Sequence, residues 1–217
     1  MSDHRVKILR IEQLTPNVKS FIVEKPKGYV FHPGSHTHIK LEDSKFKDKK
    51  HPFTICSLNR DNFLEFIIKG YPGGITEELH DLKEGDEIII DDPKEDKKYK
   101  GKGFFIAAGT GVNPFLAILR HLREENQVEG NKLIFTNKTY EDIILRKELK
   151  NLLDDDLILV LTRQKVKGYH YGRIDSEFLK ETIKDFSQYF YLCGPKIFAL
   201  EVKKMLLGLG ASMEKIF

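Results

Sequence analysis

The chain has 217 residues, of which 32% are charged and 40% are hydrophobic. At roughly 150 residues per domain, this length fits one large domain or two small ones, with a buried core in either case. The 36 Lys and Arg nearly balance the 33 Asp and Glu, and the formal charge of +3 argues against a dedicated nucleic-acid-binding protein. The two cysteines, Cys56 and Cys193, are too few for a disulfide framework or an iron–sulfur cluster.

The sequence contains no segment typical of a membrane or secreted protein. No apolar run approaches the ~18–20 residues of a membrane span, and the charged N-terminus, residues 1–5, lacks the apolar core of a signal peptide. We therefore expect a cytoplasmic monomer with no membrane span and no nucleic-acid partner.

The first half of the chain, up to about residue 92, predicts short β-strands. Its apolar residues come in short, often alternating runs, separated by turn signals such as Pro33-Gly34. Period-2 strands at this spacing are typical of an antiparallel barrel or sandwich. The runs begin at Val6, Val18, His36, Leu64 and Glu87, and one short helix is predicted from Thr76 to Leu82.

After residue 103 the pattern changes to alternating strands and helices. Apolar runs at 104–108, 132–136, 157–162 and 189–193 each precede a helical pattern, at 114–123, 142–153, 175–184 and 195–207. Such alternation indicates a parallel sheet with helices on both faces. The charged, glycine-containing segment 92–103, with its lysines between Lys94 and Lys102, is predicted to be a boundary loop. The predicted fold is an N-terminal antiparallel β-barrel domain, residues 1–98, followed by a doubly wound α/β domain, residues 103–217.

The strongest local signal is a glycine-rich strand-to-helix junction. Two glycines permit a tight turn whose backbone N–H groups can approach a phosphate, and the start of the helix offers partial positive charge. Asn113 can cap this helix, and Pro114 suits its first position. Its position in the first βα unit favours nucleotide binding over an ordinary glycine-rich turn. The junction consists of Gly109, Thr110, Gly111, Val112, Asn113 and Pro114.

Three weaker motifs are ambiguous when each is considered alone. Gly73-Gly74-Ile75-Thr76 is either a compact anion site or a plain turn with Thr76 as the helix cap. His51-Pro52-Phe53-Thr54 is either a strand whose aromatic ring stacks on a planar ligand or a strand with a core phenylalanine. Cys193-Gly194-Pro195 ends the last long strand, where the cysteine either faces a ligand crevice or is a small buried residue.

Two histidines, His36 and His38, lie on one face of a predicted strand. They suggest a metal site, but a third ligand is not apparent in the sequence. A polar face of the barrel is the better interpretation, and no metal site is predicted.

Taken in chain order, the motifs at 51–54, 73–76, 109–114 and 193–195 resemble those of the ferredoxin–NADP reductase superfamily. The resemblance spans nearly the whole chain. The His-Pro-Phe-Thr spelling is closer to the dehydrogenase domains of ferric reductases and NADPH oxidases. The resemblance implies that the barrel binds FAD, with His51 in place of the usual arginine, Phe53 packing on the flavin and Thr54 facing flavin N5. The implied FAD-binding residues are His51, Pro52, Phe53, Thr54, Phe66, Ile67, Ile68, Lys69, Gly73, Gly74, Ile75 and Thr76.

The second domain, by the same resemblance, binds a nicotinamide dinucleotide. Thr54 and Cys193 are the implied catalytic residues, which flank the path of the hydride as positioning groups. NADPH is favoured over NADH because Arg163 and Lys165 follow the third strand, where relatives hold a 2′-phosphate. The implied dinucleotide-binding residues are Gly109, Thr110, Gly111, Asn113, Pro114, Thr162, Arg163, Cys193, Gly194 and Pro195.

The predicted function is an FAD-dependent NAD(P)H reductase that passes electrons singly to a carrier protein, flavodoxin or ferredoxin. A separate carrier is expected because the chain has no haem or iron–sulfur ligands of its own. The alternatives are a free-flavin or ferric reductase, an electron-transfer subunit of a larger complex, and a nucleotide-binding protein without flavin chemistry. Many relatives cover the flavin with a C-terminal aromatic residue, and Phe217 either serves this purpose or leaves that face open.

Overall fold

The computed structural model describes residues 2–42, 44–46, 51–95 and 97–217. The chain divides into two compact units, one of residues 1–98 and 116–121 and the other of residues 99–115 and 122–217. Asp96, in the predicted boundary loop, lies outside the described residues. Among the helices of the described residues, none has both the length and the apolar character that a membrane crossing requires.

The first unit contains one antiparallel sheet of six strands. They are β1 (His4–Thr15), β2 (Val18–Glu24), β3 (His36–Lys40), β4 (His51–Thr54), β5 (Phe63–Lys69) and β6 (Glu87–Ile90), and a short helix, α1 (Ile75–Asp81), follows β5. The strand order is β4-β3-β6-β1-β2-β5. The sheet is barrel-like, because the backbone N–H of Cys56, just after β4, donates to the carbonyl oxygen of Glu65 in β5 over 2.8 Å.

Alternation along the strands fills the interior of this unit. In β1, Val6 and Ile8 are buried while their neighbours are exposed, and in β3 the buried residues are Thr37 and Ile39. Because successive side chains of a strand point to opposite faces, one face of each strand supplies the core. The core also receives Phe21, Phe31, Leu64, Phe66, Ile68, Ile75, Leu79, Ile88 and Ile90.

The second unit contains one parallel sheet of five strands. Its elements are β7 (Gly103–Ala108), α2 (Asn113–Glu124), β8 (Lys132–Asn137), α3 (Arg146–Leu153), β9 (Leu157–Leu161), β10 (His170–Tyr171), α4 (Ser176–Thr182), β11 (Tyr189–Cys193) and α5 (Lys196–Gly208). The strand order is β10-β9-β8-β7-β11, and all four pairings are parallel.

Helices cover both faces of the parallel sheet. Phe104 in β7 packs in one cluster with Phe178 of α4 and Val202 of α5. The next residue, Phe105, points to the opposite face and contacts Phe115 of α2, with the ring centroids 5.1 Å apart. The predicted fold, an antiparallel barrel-like domain followed by a doubly wound α/β domain, is confirmed.

Several predicted boundaries were wrong by a few residues. Asn113 has helical angles, φ −54° and ψ −51°, and follows a 3-10 helix over Gly109–Val112, so it is the first residue of α2 and not its cap. Helix α3 begins at Arg146 and not at residue 142. The segment before it is held in a turn, because the backbone N–H and the hydroxyl of Thr139 both donate to Asp142 Oδ2.

Candidate cofactor sites

The carboxyl ends of β7 and β11 bring two of the predicted motifs together. In the parallel register of these strands, Ala107 lies beside Cys193. The glycine-rich turn after β7 then packs on the chain that follows β11, since a Cβ atom at Gly111 would lie only 2.3 Å from the carbonyl oxygen of Cys193. Only glycine permits this approach. The two turns therefore form one continuous surface, at the edge where open parallel sheets bind their ligands.

Gly109, two residues earlier in this turn, is half-buried but has open space beside its Cα atom. Its φ of +54° lies in the left-handed region, and a Cβ built there would meet no described atom within 4 Å. The 3-10 helix runs directly into α2, so the turn leads into the N-terminal end of a twelve-residue helix. Such an end carries partial positive charge, and the N–H of Asn113 is itself bonded to the carbonyl oxygen of Thr110. The turn therefore fits the phosphates of a dinucleotide.

The predicted cations follow β9 on the same edge of the sheet. Thr162 is held in place because its backbone N–H and its hydroxyl both donate to the carbonyl oxygen of Asn137, over 2.9 and 3.3 Å. Arg163 is exposed. Lys165 Nζ lies 5.0 Å from the centre of the ring of Tyr171, which is itself half exposed. This segment therefore presents two cations and an aromatic ring.

An open cavity of about 240 Å³ lies beside Thr162. Its walls combine hydroxyl groups, one cation, one carboxylate and aliphatic and aromatic side chains, a combination that suits a polar ligand with a flat ring. Arg173 is the cation, and no sequence pattern identifies it because it follows a two-residue strand without a pattern of its own. The lining residues are Thr136, Thr162, Arg173, Ile174, Ile197, Phe198, Glu201, Val202 and Met205.

In the first unit, β4 carries the His-Pro-Phe-Thr motif and pairs with β3. His36 lies opposite Thr54, and Ile39 lies opposite His51. Two buried ring nitrogens, Nδ1 of His36 and Nε2 of His51, have no hydrogen-bond partner within the described part of the chain. Because buried polar groups in proteins are nearly always paired, these orphaned nitrogens fit a polar ligand that lies along β4.

His38, two residues after His36, belongs to a charged cluster. Its Nδ1 lies 3.2 Å from Oδ2 of the buried Asp91 and 3.3 Å from Nζ of Lys94. Lys40 Nζ lies 3.0 Å from the other oxygen of Asp91. Burial of the imidazole, and then the charge of Lys94, lower the pKa of His38, while Asp91 opposes the shift. The two histidines therefore have different environments, because His38 lies in an ionic cluster and His36 lies opposite Thr54.

The Gly73–Thr76 turn is hydrogen-bonded by its own side chains. The backbone N–H of Gly73 donates to Glu77 Oε2 over 2.7 Å, and that of Tyr71 donates to the hydroxyl of Thr76 over 3.0 Å. Gly74, and not Thr76, occupies the cap position of α1. A phosphate at the Gly73 N–H would therefore have to displace the carboxylate of Glu77.

Residues 66–69, implied for the adenosine side of FAD, lie on β5. Phe66 and Ile68 point into the core of the first unit, and Ile67 is also buried. Lys69 is half-buried, with Nζ 5.8 Å from the centre of the ring of Tyr71. A cofactor along this strand would therefore meet the backbone and Lys69 more than the three apolar side chains.

Phe217 extends the parallel sheet beside β11. Its N–H donates to the carbonyl oxygen of Phe190 over 2.8 Å, and its carbonyl oxygen accepts from the N–H of Leu192 over 2.7 Å. Its ring stacks on that of Tyr191, with the centroids 5.9 Å apart, and also contacts Tyr189. The ring of Phe217 is therefore held by the aromatic side chains of β11.

Two family models match consecutive parts of the chain. Residues 3–101 match an FAD-binding domain, and residues 105–204 match an oxidoreductase NAD-binding domain. Together these matches include most of the chain. They confirm the predicted cofactor classes, FAD and a nicotinamide dinucleotide.

The sequence is similar to those of two curated cytochrome b5 reductases. The chain is 29% identical over 244 residues to cytochrome b5 reductase 4 of Mus musculus, a match that covers 98% of the chain and 46% of the relative. It is 31% identical over 157 residues to NADH–cytochrome b5 reductase 1 of Arabidopsis thaliana, covering 67% of the chain and 56% of the relative. The chain thus spans about half the length of these relatives.

The fold is also similar to a solved structure of related architecture. A ferredoxin NADP+ reductase from Neisseria gonorrhoeae, with bound FAD and NADP, superimposes with a TM-score of 0.86 at 21% identity, over 99% of the chain and 97% of that structure. With the two family models, this likeness confirms the resemblance inferred from the motifs. The chain therefore carries an FAD-binding domain followed by an oxidoreductase NAD-binding domain, and it has the fold of the ferredoxin–NADP reductase superfamily.

Proposed function

We propose that the chain is a flavin-dependent NAD(P)H oxidoreductase with an FAD domain over residues 1–98 and a dinucleotide domain over residues 103–217. The observation that carries the proposal is the close approach of Gly111 to Cys193 at the carboxyl edge of the parallel sheet. This contact builds one surface from the two motifs that the resemblance assigns to a nicotinamide dinucleotide. When bound, the two cofactors supply hydride transfer, and the protein supplies their binding and orientation.

The dinucleotide site uses backbone groups for the phosphates and side chains for the rest. The turn from Gly109 to Pro114 holds the pyrophosphate against the start of α2. Cys193, with Gly194 and Pro195, borders the nicotinamide. The half-buried sulfur of Cys193 acts as a positioning group and not as a nucleophile.

The FAD site uses β4 and the turn before α1. Phe53 and Thr54 contact the flavin, His51 meets the pyrophosphate, and the Gly73–Thr76 turn supplies further N–H groups. The orphaned nitrogens of His36 and His51 support this assignment, because a bound cofactor would satisfy them. The backbone of β5, from Phe66 to Lys69, borders the adenosine.

The preferred dinucleotide is NADPH. Arg163 and Lys165 follow β9, and Arg173 lies in the wall of the adjoining cavity, so the edge offers three cations to a 2′-phosphate. The Neisseria structure, which contains NADP, supports this preference. The Arabidopsis relative is named for NADH, so NADH is the alternative dinucleotide.

The proposed electron acceptor is a small haem protein of the cytochrome b5 type. The curated relatives described above are cytochrome b5 reductases, which favours this class over the flavodoxin or ferredoxin expected from sequence. A ferredoxin remains the second candidate because the Neisseria neighbour is a ferredoxin reductase. The cytoplasm remains the proposed compartment, since two cysteines are too few for the disulfide framework of a small secreted protein.

A panel of isolated acceptors tests this proposal. The FAD-loaded protein is mixed with NADPH and with cytochrome b5, ferredoxin, flavodoxin, free FMN or a ferric chelate in turn. The proposal predicts that cytochrome b5 is reduced fastest. Faster reduction of FMN or ferric chelate would favour a free-flavin or ferric reductase, and failure with every acceptor would favour a subunit of a larger complex.

A further inference from the structure

Two buried asparagines lie at the opposite ends of β8, and they differ in the hydrogen bonding of their side-chain amides. Asn131, just before the strand, is fully buried and fully hydrogen-bonded. Its Nδ2 donates to the carbonyl oxygens of Gln127 and Val128, and its Oδ1 accepts from the hydroxyl of Tyr99 and the N–H of Gly103. Such a set of partners is typical of a structural asparagine.

Asn137, the last residue of β8, differs at its amide nitrogen. The residue is 7% exposed, and within the described residues its buried Nδ2 has no hydrogen-bond acceptor. The backbone around it is nevertheless fixed, because its carbonyl oxygen accepts from both the N–H and the hydroxyl of Thr162. A rigidly placed, buried and unpaired donor is rare in proteins and calls for a ligand or another explanation.

The register of the sheet places Asn137 at the glycine-rich turn. Ala108 of β7 lies beside Thr136 of β8, so the next position along β8, Asn137, comes beside Gly109. A Cβ at Gly109 would face open space among the described atoms. The unpaired donor therefore lies at the carboxyl edge of the sheet, beside the part of the turn that is open to a ligand.

Alternation along β8 gives the face of the sheet on which Asn137 lies. Phe135 and Asn137 share one face, which is also the face of Ala107 and Phe105 because these strands are in parallel register. Phe105 contacts Phe115 of α2. Asn137 is therefore on the side of the sheet that α2 covers, at the end where that helix begins.

We propose that Asn137 is a further dinucleotide-binding residue, whose Nδ2 donates a hydrogen bond to a phosphate or ribose oxygen of the bound nicotinamide dinucleotide. The inference rests on the proposed function, because the ligand is the one assigned to this edge. A neutral amide donor suits such an oxygen. This role also explains why Asn131, just before β8, has a full set of protein hydrogen bonds, whereas Nδ2 of Asn137 has none among the described residues.

The test compares Asn137→Leu with Asn131→Leu in the FAD-loaded protein. Two quantities are measured for each variant, the dissociation constant for NADP+ by calorimetry and the thermal midpoint without NADP+. Asn137→Leu should weaken NADP+ binding roughly tenfold, the loss of about one hydrogen bond, without lowering the midpoint. Asn131→Leu should lower the midpoint and leave the dissociation constant unchanged where the variant folds.

A second variant, Asn137→Asp, keeps the shape of the side chain and replaces the donor by an acceptor. It should weaken NADP+ binding more than Asn137→Leu does. The inference is overturned if Asn137→Leu binds NADP+ as the wild type does, or if it fails to fold or loses as much thermal stability as Asn131→Leu. A wild-type protein that binds neither NADP+ nor NAD+ would instead refute the proposed function itself.

Discussion

Single residues in this protein take their roles from neighbours that are distant in sequence. His36 and His38 occupy the same strand face. The side chain of His38 lies in a charged cluster with Asp91 and Lys94, whereas His36 meets Lys94 through backbone hydrogen bonds. Lys40 also pairs with the buried carboxylate of Asp91. Asp91 therefore keeps a cationic partner when His38 is neutral. The pH dependence of folding should therefore report on His38.

His38→Gln should make the stability of the protein less sensitive to mild acid. Burial and Lys94 lower the pKa of His38 in the folded state, so below about pH 6.5 the unfolded chain binds more protons at this residue than the folded protein does. The stability that His38 contributes is therefore present above the unfolded pKa and is lost as the pH falls through the lower folded pKa. Glutamine keeps a polar contact to Asp91 and does not titrate.

Denaturant unfolding at several values between about pH 5 and pH 7 measures this effect. The wild type should lose more free energy of unfolding over that interval than His38→Gln. His32→Gln is the matched control, because the side chain of His32 is 74% exposed. Identical pH slopes for the wild type and His38→Gln would show that His38 is not the responsible group.

Glu77→Ala should strengthen the binding of FAD. The carboxylate of Glu77 occupies the N–H of Gly73, which the proposed site gives to the pyrophosphate. The substitution frees that donor and removes a negative charge that would repel the pyrophosphate. The dissociation constant for FAD should therefore fall about two- to fivefold, the scale of an exposed charge interaction. Glu78→Ala, one residue later, controls for net charge. An equal change in both variants would mean that Glu77 does not compete with the cofactor.

Sequence patterns identified those proposed site residues whose position is set by local structure. Gly109, Gly111 and Cys193 lie at strand ends, and an apolar run followed by a glycine identifies such an end from a few residues. Asn137 and Arg173 were not identified. The unpaired donor of Asn137 appears only when all its neighbours are known, and Arg173 belongs to a cavity whose other walls come from β8 and α5.

Among the elements, the packing of two turns limits the size of the residues that fit in the glycine-rich junction. Gly111→Ala places a methyl group 2.3 Å from the carbonyl oxygen of Cys193, so the turn after β7 and the turn after β11 must separate. We expect the free energy of unfolding to fall by about 1–3 kcal/mol, as in other overpacked sites. Binding of NADP+ should weaken as well, since both turns border the proposed site.

Gly208→Ala is the control for this substitution. Gly208 ends α5, and a Cβ there meets no described atom within 4 Å. Alanine is the better helix former by up to about 1 kcal/mol, so stability should stay the same or rise. If Gly111→Ala is as stable as Gly208→Ala and binds NADP+ normally, the close approach of the two turns does not matter for the site.

Hydrophobic periodicity in the sequence predicted some strands and helices correctly and missed others. Long apolar runs such as Phe104–Ala108 predicted the parallel strands. The two-residue strand β10, His170–Tyr171, is exposed and has no pattern of its own, because its place depends on pairing with β9. The start of α3 was predicted too early because the Thr139–Asp142 turn precedes it, and such side-chain hydrogen bonds compete with helix.

For the whole molecule, each unit presents groups that fit its cofactor. The first unit has orphaned imidazole nitrogens along β4, and the second has a glycine-rich turn that only a small residue can form against Cys193. The two family models match an FAD-binding and an oxidoreductase NAD-binding domain in this order. We therefore propose that one chain binds both cofactors and transfers a hydride between them.

Anaerobic mixing of the FAD-loaded protein with NADPH, and separately with NADH, tests this claim most directly. The visible absorbance of the flavin is followed in a stopped-flow instrument. We predict that both dinucleotides bleach the oxidised flavin and that NADPH does so faster. A protein that acquires no flavin spectrum when FAD is added, or a bound flavin that neither dinucleotide bleaches, would contradict the account.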